Sequence, residues 1–243
     1  MKKQLLKSAL IAVAGIGLLT ANSFANEMTV QQILDSITVG PTASHSSVNA
    51  TTDMLNDTID SYWNITASGG SFATMIIEIS SLAGSNSFGI FDLANYTNKV
   101  QLFAGSASTS SHNTISMYAN GDVYTAGGTV LSGHFSSTTF GYYITTNNGT
   151  FYSDSSLNTE GKDRMLAYQG NNIDTVQIGG LSSGLWTNNE YVLAFEDGTD
   201  FDYNDMLVMV ESVKPVPEPA TMLLFGTGMA GFAGFARRRK ANN

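Results

Sequence analysis

Five carboxylates and one amide fall within ten residues of this 243-residue chain, in Glu196-Asp197-Gly198-Thr199-Asp200-Phe201-Asp202-Tyr203-Asn204-Asp205. Hard oxygen donors converging from one loop are what Ca²⁺ asks for, with six to eight oxygens at about 2.3–2.6 Å. Like charges crowded this closely repel one another when no cation is present. Glu196, Asp197, Asp200, Asp202, Asn204 and Asp205 are therefore the candidate metal ligands, and Ca²⁺ is the expected ion. The order is not that of an EF-hand, because no Gly follows Asp200 at the sixth position. The other reading is a solvated acidic hairpin, in which Asp197 and Asn204 hydrogen-bond turn amides and Asp205 ties down the loop. Asp92, at the end of another expected strand, is the further acid that could join the cluster in space.

The elements that must hold this turn are two apolar runs, 191–195 before it and 206–210 after it. From Tyr62 onward, short runs rich in Ile, Val, Tyr, Phe and Thr alternate with Gly, Asn, Ser and Asp turns, the pattern of an antiparallel β protein. Strands are expected at 61–67, 72–80, 87–92, 99–103, 114–119, 122–126, 140–146, 150–152, 164–169, 175–178, 191–196 and 206–213. Asn120-Gly121 marks a two-residue hairpin turn and Asn147-Asn148-Gly149 a longer one. The expected fold is all-β, an antiparallel β-sandwich of jelly-roll type over residues 60–214. Before it, Val30, Ile33, Leu34 and Ile37 have helical spacing behind a Thr29 cap, so one short helix is expected, and no second one. The Ser/Thr/Asn-rich stretch 42–52 reads as a loop or mobile arm within a segment spanning 26–59.

Charge narrows the function. Between Asn26 and Pro217 there are four basic and 19 acidic residues, a net of −15. Such a field repels nucleic acid and other polyanions and favours cations and neutral sugars. With no Cys there is neither a disulfide nor thiol chemistry. His45, His112 and His134 are expected in Ser-rich loops and lack spaced partners, which argues against zinc. Neither a G-x-S-x-G elbow nor a phosphate loop occurs. Glu78 and Glu160 could be imagined as a glycosidase pair, but any acidic chain offers such pairs. The protein is therefore expected not to be an enzyme. Trp63, Trp186 and the tyrosines are either sugar-stacking residues or core.

Both ends read as addresses. Lys2, Lys3 and Lys7, an apolar run over 9–19 and small residues before Asn26 make residues 1–25 a signal peptide. At the other end, Val216-Pro217-Glu218-Pro219 leads into 17 uncharged residues, 220–236, followed by Arg237-Arg238-Arg239-Lys240. A helix of that length spans about 26 Å, close to a bilayer core of about 30 Å. The basic cluster would hold its end in the cytoplasm. The prolines keep Glu218 extended for a protease to read. An ordinary single-span anchor would show similar features. The three parts together, over 215–243, closely resemble the PEP-CTERM sorting signal of Gram-negative bacteria. That resemblance implies recognition by the membrane enzyme exosortase, with Val216, Pro217, Glu218, Pro219, Arg237, Arg238 and Arg239 as the sorting motif. It also implies an inner-membrane intermediate and a final place at the cell surface or in the extracellular matrix.

Several further pieces resemble a domain of unknown function that accompanies such tails: Asp60-Ser61-Tyr62-Trp63, Asn86-Ser87-Phe88-Gly89-Ile90-Phe91-Asp92, Phe140-Gly141-Tyr142-Tyr143, Asp163-Arg164-Met165-Leu166-Ala167-Tyr168, Tyr191 to Asp197, and Asp202-Tyr203-Asn204-Asp205. The run after Phe195-Glu196-Asp197 is shorter here than is usual in that domain. The expectation is a non-enzymatic surface or matrix protein associated with exopolysaccharide, with a carbohydrate-binding module or adhesin as the first alternative and a polysaccharide-processing enzyme as the second.

Overall fold

Thr29 begins the first element with a reciprocal cap. Its hydroxyl accepts from Gln32 N at 3.3 Å, and the Gln32 side chain accepts from Thr29 N at 2.9 Å. The helix buries Val30, Ile33, Leu34 and Ile37, the stripe expected from their spacing.

The computed structural model describes residues 28–67, 71–78, 86–105 and 107–217. The signal peptide, Glu218, Pro219, the apolar run and Arg237, Arg238 and Arg239 lie outside the described residues. Among those described, no helix is long and apolar enough to cross a membrane.

In chain order the elements are α1 (Val30–Ile37), β1 (Thr38–Gly40), α2 (Asp57–Asp60), β2 (Tyr62–Ile65), β3 (Ser71–Glu78), β4 (Ser87–Asp92), β5 (Asn95–Phe103), β6 (His112–Met117), β7 (Asp122–Thr125), β8 (Val130–His134), β9 (Thr139–Thr146), β10 (Gly149–Tyr152), β11 (Met165–Gln169), β12 (Thr175–Val176), β13 (Gly184–Leu185), β14 (Glu190–Phe195), β15 (Met206–Glu211) and β16 (Val213–Val216). One antiparallel sheet runs β11-β14-β15-β3-β6-β7-β8. A second runs β16-β2-β9-β4-β5, with β10 also on β9. A small third sheet joins β1, β12 and β13.

The two large sheets face each other across one core. Phe88, Ile90, Phe140 and Tyr142 come from one side, and Leu193, Phe195, Val208 and Val210 from the other. β14 and β15 are apolar at nearly every position because both of their faces are covered. Tyr191, Leu193, Phe195, Met206, Val208 and Val210 point into the sandwich. Val192, Ala194, Leu207 and Met209 pack under α1, Tyr168 and Trp186. A strand covered on one side would alternate apolar with polar; these do not, and a third layer is the reason. In the other sheet Gly141 lies opposite Phe91, whose ring comes within 2.2 Å of where a Cβ on Gly141 would sit.

Four expectations are corrected. A second helix exists, the single turn α2, capped by Asn56 Oδ1 accepting from Thr58 N at 3.0 Å. β8 and β13 are strands where loop was expected; β8 follows Gly127 and Gly128, and its Val130 and Leu131 are exposed, so it has no alternating signature. The second sheet continues to Val216, two residues beyond the expected boundary at 214, with Pro215 tolerated because β16 is an edge strand. The stretch 42–52 is a loop, one of the two forms expected, but it is tied down and is not an arm. Ser46 and Val48 are buried, and Asp174 accepts from Ser46 Oγ and Ser47 N, both at 2.8 Å. Ala50 is held from two sides, its N–H donating to Gln31 and its carbonyl accepting from Tyr168 Oη. Polar composition alone does not reveal partners more than a hundred residues away.

Candidate functional site

The acidic turn is the connection between β14 and β15, so its ends are fixed by register. Phe195 lies opposite Met206 in the ladder, which brings Asp205 beside the strand end; its carboxylate accepts from Asp197 N at 2.7 Å. On the other side Met165 lies opposite Phe195, which places Arg164 beside Glu196. There Glu196 N donates to Arg164 O at 3.1 Å.

Glu196 is fully buried and organises the loop. One of its oxygens accepts from Gly198 N at 2.6 Å and the other from Tyr203 N at 3.3 Å. The Arg164 guanidinium stands 3.9 Å from it and donates to Gly198 O at 2.5 Å. Gly198 leaves the space these carboxylates need, since a Cβ there would lie 3.1 Å from Glu196 Oε1 and 3.3 Å from Asp200 Oδ1.

Of the six expected ligands, the structure gathers Glu196, Asp200 and Asp202, one oxygen of each lying within 4.8 Å of the others. Oxygens this near one another can converge on one cation, and carboxylate oxygens are the hard donors that Ca²⁺ takes, although it needs about six to eight of them. Asn204 adjoins them, donating to Asp202 at 2.6 Å, and its Oδ1 is buried without a hydrogen-bond partner. Asp205 and Asp197 take a different part: Asp205 ties down the Asp197 amide, and the Asp197 carbonyl accepts from Asn148 Nδ2 at 3.1 Å.

The charge is costly where it is buried. Burial pushes the Asp205 carboxyl up to about 7, with Asp197, Glu196 and Asp202 adding to the rise against the opposing Asp197 amide. Burial raises Glu196 as well, and Asp200 and Asp202 raise it further.

Asp92 does not join this group. It lies at the opposite end of β4 from the β9–β10 hairpin that touches the turn, and its oxygens accept from Ser136 Oγ at 2.5 Å and from Ser136 N at 2.9 Å. Trp63 and Trp186 are fully buried, so neither can stack on a sugar. His112 and His134 stand in strands, not loops, and His134 lies 3.0 Å from Asp122.

The sequence did not single out Arg164, Phe201 or Tyr203. Phe201 and Tyr203 both have left-handed backbone, at φ 56° and 58°, a conformation that bulky side chains rarely adopt. Phe201 is 38% exposed, with Arg164 4.7 Å and Lys162 5.6 Å from its ring centre. Next to it a groove of about 570 Å³ opens between the start of α1, the 50–54 segment, β11 and the turn, with Asp202 and Tyr203 in its wall. An aromatic inside an otherwise acidic turn was the signal available for it.

Comparison with known proteins matches two parts of the chain. Residues 215–240 match the PEP-CTERM protein-sorting motif. Residues 124–213, which include the whole acidic turn, match a domain of unknown function, DUF4114. The second match begins well after Asp60, so the blocks at 60–63 and 86–92 lie outside it. No curated protein matches. Among solved structures, the Chromobacterium violaceum lectin CV2L in complex with alpha-methyl-fucoside is similar at 16% identity, covering 62% of this chain and 94% of its own, with a TM-score of 0.28. A likeness that low carries no argument about fold or ligand.

Proposed function

We propose that this chain, with its PEP-CTERM motif and DUF4114 domain, is a non-enzymatic protein of the cell surface or extracellular matrix. The PEP-CTERM motif makes it an exported protein with a membrane-anchored intermediate and exosortase as its processing partner. In this reading the jelly-roll-type sandwich is the cargo, and it associates with the exopolysaccharide of a Gram-negative host. The observation that supports it best is the motif at 215–240, beginning inside the edge strand β16. The signal thus overlaps the cargo only in the last two residues of an edge strand, 215 and 216, and a cut beyond them leaves the sheet whole.

The test is to express the full chain, with an exosortase present, and follow its size and location. Wild type should lose its tail and leave the inner membrane, whereas Pro217→Ala with Glu218→Ala and Pro219→Ala should remain there unprocessed. Equal processing of the two would overturn the sorting reading.

Ca²⁺ at Glu196, Asp200 and Asp202 is the second part of the proposal, supported by their convergence. It would neutralise a turn that burial and like charges now oppose. Ion present at about 100 times its Kd adds about 2.7 kcal/mol, or about 5–10 °C for a domain of this size. Melts in EDTA and in millimolar Ca²⁺ that coincide would remove it.

A further inference from the structure

The groove beside the acidic turn has a lining of mixed chemistry. Phe201, Met54 and Tyr203 offer apolar surface, while Asp202, Thr29 and Thr51 offer oxygen atoms at its edge. Its volume of about 570 Å³ falls in the range of small-molecule sites, about 300–1,000 Å³. The exposure of Phe201 is not incidental, because a strained left-handed backbone holds it at the rim instead of in the core.

The occupant must satisfy that lining and the local charge. A polyanion meets Asp202 in the wall, Glu196 and Asp200 clustered with it, and a net of −15 over residues 26–217. A cationic ligand at the Phe201 ring meets the like charges of Arg164 and Lys162, 4.7 and 5.6 Å from the ring centre, which a neutral one does not. What remains is a neutral molecule with a flat C–H face and a hydroxyl edge. A pyranose ring has both: the C–H face stacks on an aromatic ring, and the hydroxyls reach hydrogen-bonding groups or a cation.

We propose that this groove binds a neutral pyranose unit of a glycan, stacked on Phe201, with its hydroxyls directed to Asp202 and to the cation beside it. The cation-bridged half rests on the Ca²⁺ reading above; the stacking half does not. This places the sugar contact on a residue of the acidic turn, away from the buried tryptophans.

The probes are the methyl glycosides of glucose, galactose and mannose, with saturation-transfer NMR on the full-length chain in a detergent that carries no sugar. At least one glycoside should receive saturation in Ca²⁺. Phe201→Ala should abolish the transfer while moving the melting temperature by no more than about 2 °C, as expected of a surface substitution. No transfer to any of the three, transfer unchanged in Phe201→Ala, or binding of a lysine-rich peptide or of polygalacturonate in place of the glycosides would each overturn the proposal. The two readings separate cleanly. Transfer that needs Phe201 but is indifferent to EDTA, without a Ca²⁺ shift in the melt, keeps the stacking and sinks the cation. A Ca²⁺ shift without transfer does the reverse.

Discussion

Replacing Glu196 with Ala should loosen the whole β14–β15 connection. The side chain is fully buried, and its loss strands two backbone donors, Gly198 N at 2.6 Å and Tyr203 N at 3.3 Å. Each orphaned donor costs about 1–3 kcal/mol, at the lower end here because both residues are half-buried. Arg164 also loses its acid. Breaking a buried pair costs about 3–5 kcal/mol, but at 3.9 Å, with Gly198 O still accepting from the guanidinium at 2.5 Å, only a fraction of that applies. Relief of repulsion with Asp200 and Asp202 works the other way. The net is about 3 kcal/mol of destabilisation, or roughly 6–12 °C for a domain of this size. Glu196→Gln keeps one acceptor oxygen and the packing, so it should lose about half as much. The assay is a thermal melt at pH 8 in EDTA, where no cation can contribute, and the expected order is wild type, then Gln, then Ala. In Ca²⁺ the wild type should gain and the Ala variant should not. If Glu196→Ala in EDTA melts within about 2 °C of wild type, the buried carboxylate does not organise the turn and the argument from its hydrogen bonds is wrong.

Three further outcomes follow from the packing. Burial pushes Asp163 up to about 6, with the Asp57 charge adding to the rise, so the folded protein holds a proton that the unfolded chain releases near its ordinary value of 3.8. That group's contribution is fully present below pH 4 and is lost as pH rises through about 6; urea titrations across that window should show a shallower fall for Asp163→Asn than for wild type. Asp174→Ala removes the acceptor for Ser46 Oγ and Ser47 N, so limited proteolysis should cut within 42–52 at protease levels that leave the wild type intact. Gly141→Ala drives a methyl into the Phe91 ring and should cost about 1–3 kcal/mol in chemical denaturation, whereas an unchanged midpoint would mean that the ring can step aside.

The local patterns were legible. The Thr29 cap and the i, i+3, i+4, i+7 spacing specify α1, because both halves of the capping box lie within four residues. The apolar runs either side of Glu196–Asp205 specify two strands and an acidic connection, because period and composition act over a few residues. The sorting tail is legible for the same reason, being read as a linear order of proline, apolar run and basic stop. Long-range partners were not. Polar composition made 42–52 look like a loop or a mobile arm; it is a loop, and Asp174 and Tyr168 capture it from more than a hundred positions away. Trp63 and Trp186 looked available to a sugar, but the sandwich and the α1 layer close over them. Within the turn, residue types offered all six as ligands and also offered Asp205 as a tie for the loop amides, without deciding between the two. Register divided them: the β14–β15 ladder assigns Asp205 to an amide and leaves Glu196, Asp200 and Asp202 to converge. The sequence by itself thus determined that the chain is an exported, all-β, acidic protein with a carboxylate-rich turn. Only the tertiary structure decided that Arg164 stands against Glu196, that Phe201 faces a groove, and which acids share one point in space. Charge and periodicity are properties of neighbours along the chain, while pairing across strands depends on which segments the core brings side by side.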